Sequence, residues 1–269
     1  MAKVRLDVLM VEKGMVTSRE KARALILAGE VLVNGVRIDK PGTLVEEDGQ
    51  ILLQRKGPVY VSRGGLKLEK AIKVFGIDFK DKVVLDVGAS TGGYTDCALQ
   101  HGARKVYAVD VGYGQLDWSL RNDPRVINME KTNVRYLTLD DLGELVDIVT
   151  IDVSFISTLL VFPVVKNLIQ PEGLIVSLIK PQFEAGREKV GKKGVVRDPR
   201  VHEEVLYRCI KGALDEGLNC TGITYSPITG PQGNIEYFIK LSRKEAVLPD
   251  MAKEIKSVVA AAHSELGGH

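Results

Sequence analysis

The stretch VVLDVGASTGGYTDCAL, residues 83–99, carries the residue types best suited to holding a ligand. An apolar run ends at Asp86-Val87-Gly88, and the small residues Ala89, Ser90, Gly92 and Gly93 then lead into a predicted helix. Small side chains let a ligand approach the backbone, and a helix N-terminus offers free N–H groups. Asp110 closes the next apolar run, where a carboxylate can accept hydrogen bonds from ribose hydroxyls. A tight turn alone would explain Gly88, Gly92 and Gly93, but not the helix and Asp110 that accompany them. The nicotinamide fingerprint wants glycine where Ser90 stands, which disfavours a dehydrogenase. Glu130 and Asn133, after the third apolar run, are expected near an adenine. Two more residues bear chemistry. Asp152 follows the run Asp147–Ile151, and Lys180 follows Leu174–Ile179 directly before Pro181. Both are expected at the sheet edge where such folds bind ligands.

These residues need a parallel sheet behind them. Strands are predicted over Val83–Val87, Lys105–Val109, Val126–Met129, Ile148–Val153 and Leu174–Ile179, with helices between. Continuous apolar strands of this kind are covered on both faces. Residues 220–228 and 235–241 read as an antiparallel pair, and 249–266 as a last helix. A parallel sheet closed by a late antiparallel strand fits a Rossmann-like methyltransferase better than a plain dinucleotide fold. The first sixty residues differ. Arg5–Lys13 has helical spacing, Thr17 and Glu20 match a capping box, and Asn34-Gly35 between apolar alternations predicts a hairpin. Residues 54–65 read as a linker before a helix near Leu66.

Charge separates the same two parts. Residues 1–67 hold 12 Lys/Arg against 8 Asp/Glu, whereas the whole chain of 269 residues is only +2. Basic clusters suit phosphate contacts. Cys97, Cys209 and Cys220 show no zinc spacing and read as free thiols in a reducing compartment, so no metal is expected. The longest apolar stretch, 156–169, is interrupted by Pro163 and Lys166, too short and broken to span a bilayer. A cytoplasmic protein is expected. The histidines at 101, 202, 263 and 269 are scattered and read as surface residues, and Trp118 reads as packing.

The acidic residue before the first glycine, Asp86, resembles the S-adenosylmethionine (SAM) loop of class I methyltransferases. The order Lys67 in SRGGLKLEKA, Asp152 in TIDVSF, Lys180 in SLIKPQFEAG and Glu236 in GNIEYFIKL resembles the Lys-Asp-Lys-Glu tetrad of FtsJ/RrmJ-type ribose 2′-O-methyltransferases. The fuller resemblance, over essentially the whole chain, is to the TlyA family of ribosomal RNA methyltransferases, often labelled hemolysin A. It is carried by RLDVLMVEKGMVTSREKARALILAGEVLVNG, YVSRGGLKL, DVGASTGGYTD and KPQFEAGREKVGKKGVVRD. The resemblance implies an α/β fold: a mostly parallel seven-stranded class I methyltransferase sheet over 61–269, behind a small α+β S4-like RNA-binding domain over 1–60. It implies SAM as cofactor and ribosomal RNA or ribosomal subunits as partner, with cytidine as the methylated nucleoside. It implies catalytic roles for Lys67, Asp152, Lys180 and Glu236, with Lys180 at the hydroxyl as base or as stabilising charge. Asp86, Gly88, Ala89, Ser90, Gly92, Gly93, Asp110, Glu130 and Asn133 would hold the cofactor. Arg5, Arg19, Lys21, Arg23 and Arg37 resemble the basic face of S4 domains. A second basic stretch, Arg187, Lys189, Lys192, Lys193 and Arg197, follows Lys180 and is expected to close over RNA. The family label raises a membrane-active hemolysin as an alternative, and a non-catalytic assembly factor is another.

Overall fold

The structure, a computed structural model, describes residues 3–16, 18–53, 60–191 and 193–267. The chain divides into two compact units, residues 1–59 and 60–269.

In the first unit, β1 (Lys3–Arg5) pairs with β4 (Leu44–Glu46), and β2 (Val31–Val33) is flanked by β3 (Val36–Ile38) and β5 (Ile51–Leu53). Asn34 and Gly35, both at positive φ, make the hairpin turn between β2 and β3. Helices α1 (Leu6–Glu12) and α2 (Arg19–Leu27) bury Leu6, Leu9, Met10, Ala22 and Ile26 against Val31 and Val45. The first strand was not expected, because three residues show too little alternation. Thr17 lies outside the described residues. The α2 cap is Ser18, whose side chain accepts from the Lys21 N–H at 3.2 Å, so the cap falls one residue later than expected and Glu20 forms no box with it. Of the expected linker, residues 54–59 lie outside the described residues, whereas 60–65 belong to the second unit. There α3 (Gly64–Phe75) starts two residues before Leu66.

The second unit is built on a seven-stranded sheet of order β11-β12-β10-β9-β6-β7-β8. Its strands are β6 (Val83–Val87), β7 (Lys105–Val109), β8 (Val126–Met129), β9 (Val146–Ile151), β10 (Ile169–Ile179), β11 (Asn219–Tyr225) and β12 (Tyr237–Ser242). β12 runs antiparallel to both its neighbours, and the pairs from β10 through β8 are parallel. β9 ends two residues earlier than expected, leaving Asp152 and Val153 as loop, and β10 starts earlier, through an irregularity between Ile169 and Leu174. The longer helices are α3, α4 (Gly93–Gln100), α9 (Pro199–Asp215) and α10 (Met251–Leu266). Single turns α5 (Trp118–Arg121), α6 (Leu139–Leu142), α7 (Phe162–Val165) and α8 (Pro181–Glu184) fill the remaining connections.

Two apolar cores, one on each face, cover the sheet. One packs α3 and α4 through Leu68, Ala71, Cys97 and Ala98. The other packs α9 and α10 through Leu206, Ile210, Val259 and Ala262. Every residue of β6 is buried, as a central parallel strand requires. The chain runs outward from β6 through β7 to β8, then returns to place β9 on the other side of β6. The carboxyl ends of β6 and β9 therefore form the switch point where open α/β sheets bind ligands.

Candidate functional site

Gly88 follows β6 and Asp152 follows β9, and the two segments meet directly. The Asp152 N–H donates to the Val87 carbonyl at 2.9 Å. Gly88 sits at φ +87°, and a Cβ there would lie 2.5 Å from the Asp152 carbonyl oxygen. Glycine is thus required both by the backbone and by the approach of β9. Gly93 plays a comparable role at the start of α4. A Cβ on it would come within 2.2 Å of Ser62 Oγ and 2.9 Å of Gly65 N, so its absence lets the α3 N-terminus approach and brings in Lys67.

A cavity of about 440 Å³ opens beside this loop, walled by Gly88, Ser90, Asp110, Asn133, Asp152 and several valines. Its volume falls within the range of small-molecule sites. Asp110 stands at its edge, with Oδ2 accepting from Ser90 N–H at 2.8 Å and Oδ1 from Gly112 N–H at 2.7 Å. Those bonds fix the carboxylate and leave lone pairs for a further donor. Ser90 is itself held at φ +48°, an uncommon conformation for a non-glycine residue.

Three expected ligand contacts lie elsewhere. Asp86 is fully buried beneath the loop, with its oxygens accepting from Thr95 Oγ1 at 2.7 Å and Thr150 Oγ1 at 3.0 Å. Burial pushes its carboxyl up to about 7. It ties β6 to α4 and β9, because a strand buried on both faces turns this side chain inward. Glu130 is folded back under the 112–116 segment, accepting from the Gln115 and Leu116 N–H groups and from Arg121. The Arg121 guanidinium holds its carboxyl down to about 2. Gly92 faces Leu116 and Leu120, and a Cβ there would strike them at 2.8 and 2.3 Å.

A second cavity of about 410 Å³ shares Gly88, Ser90, Asp152 and Ser154 with the first and adds Ala89, Gly93, Lys67 and Lys180. Lys180 Nζ lies 2.5 Å from Asp152 Oδ1 and donates to Ser154 Oγ at 2.9 Å. Lys67 Nζ donates to Glu236 Oε2 at 2.6 Å. Gln182 Nε2 reaches the other Glu236 oxygen at 3.4 Å. Glu236 lines a third cavity, of about 500 Å³, together with Lys180, Phe155 and Lys193. The structure therefore brings all four tetrad residues into one cluster, as two ion pairs.

Phe155 and Ser154 went unnoticed in the sequence. Phe155 is 90% exposed, sits at φ +63°, and rests against Phe183 with ring centroids 4.8 Å apart. A bulky residue in that backbone region is strained, and such strain clusters at functional sites. Nothing in TIDVSF distinguishes its phenylalanine from a core residue.

Among the expected RNA contacts, Arg5, Arg19, Lys21, Arg23 and Arg37 are exposed on the first unit. On the second, Lys189 pairs with Glu204, and Lys193 and Arg197 are exposed at a cavity of about 380 Å³. Lys192 lies outside the described residues. Trp118 is exposed rather than packed. His202 is fully buried rather than on the surface, with Nε2 3.0 Å from the Val196 carbonyl and Nδ1 2.7 Å from the Tyr237 hydroxyl.

Residues 60–243 match the FtsJ-like methyltransferase family and residues 4–51 match the S4 domain. The chain belongs to the FtsJ-like methyltransferase family. It is 41% identical over 264 residues to the 16S/23S rRNA (cytidine-2′-O)-methyltransferase TlyA of Mycobacterium tuberculosis, covering 98% of each chain. It is 43% identical over 235 residues to hemolysin A of Brachyspira hyodysenteriae, covering 87% of this chain and 98% of that one. A solved structure from Streptococcus thermophilus, named as a candidate hemolysin, superposes with a TM-score of 0.77 at 45% identity, covering 99% of this chain and 98% of that one. With the family established, this FtsJ-like chain is a methyltransferase by fold. Among its described residues no helix is long and apolar enough to cross a membrane.

Proposed function

We propose that this chain transfers a methyl group from SAM to the 2′-hydroxyl of a ribose in ribosomal RNA, with cytidine as the nucleoside and its S4 unit gripping the RNA. The observation that carries this reading is the shared wall of Gly88, Ser90, Asp152 and Ser154 between the loop cavity and the cavity of Lys67 and Lys180. A donor on one side of that wall and an acceptor hydroxyl on the other meet at Asp152 and Ser154.

The residues present fit SAM. The loop leaves backbone exposed where a side chain on Gly88 could not stand. Asp110 offers fixed carboxylate oxygens to ribose hydroxyls, and Val109, Val111, Val134 and Ile156 offer apolar walls to an adenine, with Asn133 beside them. When bound, SAM supplies a methyl group on a positively charged sulfur. Asp86, Glu130 and Gly92 support this pocket from behind.

Lys180 then acts on the ribose oxygen. Held by Asp152 and Ser154, it is a cation with a fixed position, and it stabilises the charge that grows on the oxygen while the hydroxyl proton passes to solvent water in the open cavity. Lys67, held by Glu236, places a second cation and its hydrogen-bond donors in the same cavity, positioning the nucleotide. Phe155 offers an exposed ring beside Lys180 on which the base of an unstacked nucleotide can lie. Fixing the reactants in this way accounts for much of the acceleration expected of such a transfer.

Lys180→Ala is the test. Methyl transfer should fall by roughly 10²–10³-fold, the usual span for removing one group that stabilises a developing oxyanion. SAM affinity measured by calorimetry should stay within about twofold, since a 0.4 kcal/mol change is already that large. Retained turnover would remove Lys180 from this role.

A further inference from the structure

We propose that Glu184, buried behind the reacting site, is a positioning residue: it pins the turn that follows Phe155 and so fixes the ring on which the target base lies. The inference rests on the methyl-transfer reading above, in which Phe155 takes the base.

Glu184 is the last residue of α8, the single turn that Lys180 precedes, and it is buried. Burying a carboxylate is costly unless its oxygens are hydrogen-bonded. Here both are. Oε2 accepts from Ser157 Oγ at 2.7 Å, and Oε1 accepts from the Thr158 N–H at 2.8 Å and from Thr158 Oγ1 at 2.9 Å. All three donors come from two consecutive residues of one loop, and bonds to a charged acceptor are the stronger kind. Ser157 Oγ in turn accepts from the Leu159 N–H at 3.2 Å, capping the short turn Thr158–Leu160. Glu184 walls none of the three cavities of the site. A part in the reaction therefore has to pass through what it holds.

What it holds carries Phe155. Two anchors and one ring contact tie this loop to α8. Lys180 Nζ donates to Ser154 Oγ at 2.9 Å, the Phe155 and Phe183 ring centroids lie 4.8 Å apart, and Glu184 grips Ser157 and Thr158. Phe155 sits between the two anchors at φ +63°, with its ring exposed. A strained backbone persists only where its surroundings over-determine it. One ring contact leaves that backbone free to turn, so the anchors on either side supply the restraint. Lys180 must also serve the ribose oxygen, whereas both Glu184 oxygens are taken up by the loop. A ring fixed before RNA arrives does not have to be ordered on binding, which favours affinity.

Positioning through another residue leaves a signature that general destabilisation does not. Phe155→Ala removes the ring, so an effect passed through the ring cannot add to it. In the full-length protein, KM for ribosomal subunits should rise about tenfold in Glu184→Leu, as in Phe155→Ala. The double variant should show about the same tenfold rise, where independent effects would give about a hundredfold. In each variant kcat should fall by less than KM rises. Glu184→Gln keeps an acceptor for Thr158 and an amide for Ser157 Oγ, and should recover most of the loss. Should Glu184→Leu fail to fold, Ser157→Ala combined with Thr158→Val removes two of the three bonds. That pair should raise KM in the wild-type background and leave it unchanged in Phe155→Ala. Additive effects in either cycle, or a wild-type KM in Glu184→Leu or in the Ser157/Thr158 pair, would overturn the positioning role alone. A wild-type KM in Phe155→Ala would overturn the stacking reading and this inference with it.

Discussion

The two units treat positive charge in opposite ways. In the catalytic unit, Lys67 and Lys180 each have a carboxylate of their own and both are largely sheltered. In the S4 unit, Arg5 and Arg19 share a single carboxylate and remain about half exposed. The first arrangement cancels charge and fixes position, which suits a reaction at one atom. The second leaves charge uncancelled and facing solvent, which suits a polyanion. The difference teaches that the count of lysines and arginines in a segment says less than what stands behind each of them.

The sharpest way to break that comparison is to remove one partner from each arrangement and measure stability. Lys67→Met should destabilise the catalytic unit by about 3–5 kcal/mol, because it strands the buried Glu236 carboxylate. Arg19→Ala should move the melting of the S4 unit by no more than about 1 kcal/mol, because the buried Asp7 carboxylate keeps both of its bonds from Arg5 and is not stranded. Equal losses in the two variants would erase the distinction.

A smaller effect sharpens the catalytic side. Phe155→Ala should raise KM for the RNA substrate by roughly tenfold or more, since stacking on an aromatic ring is worth about 1–3 kcal/mol per base. Phe155→Trp should restore it, and relief of the backbone strain at this position should show as a slight gain in melting temperature for Phe155→Gly. An unchanged KM in the alanine variant would free the ring of any role.

A last effect concerns acid. Burial lowers the His202 imidazole to about 4 from its ordinary 6.5. A depressed folded pKa means that its contribution is complete above 6.5 and is lost as pH falls toward 4. Thermal melts between pH 7 and pH 4 should therefore show a decline that is shallower in His202→Gln, whatever that variant's stability at pH 7. A parallel decline in both proteins would clear His202 of responsibility.

How much of this was legible depended on whether a feature is built by backbone or by side chains meeting from distant segments. The loop from Gly88 to Gly93 announces itself, because close backbone approach demands small residues in a row. The Asn34-Gly35 hairpin is legible for the same reason. Asp86 and Glu130 were misplaced because a carboxylate near a loop can face the ligand or brace the loop from behind. Only the packing of Thr95, Thr150 and Arg121 decides which. The grouping of Lys67, Asp152, Lys180 and Glu236 came from resemblance, since no spacing rule brings residues 67 and 236 within 2.6 Å. Phe155 was invisible, because exposure and backbone strain belong to the folded chain. His202 was misread as a surface residue because its partner Tyr237 lies on a strand 35 positions away.

The central claim is tested most directly with the intact protein, SAM labelled with tritium in its methyl group, and purified ribosomal subunits. The RNA is then extracted, digested to nucleosides and separated. The account predicts label in a single 2′-O-methylated nucleoside, cytidine, with none in Lys180→Ala. Label on a base, label in protein, or none in either subunit would contradict it.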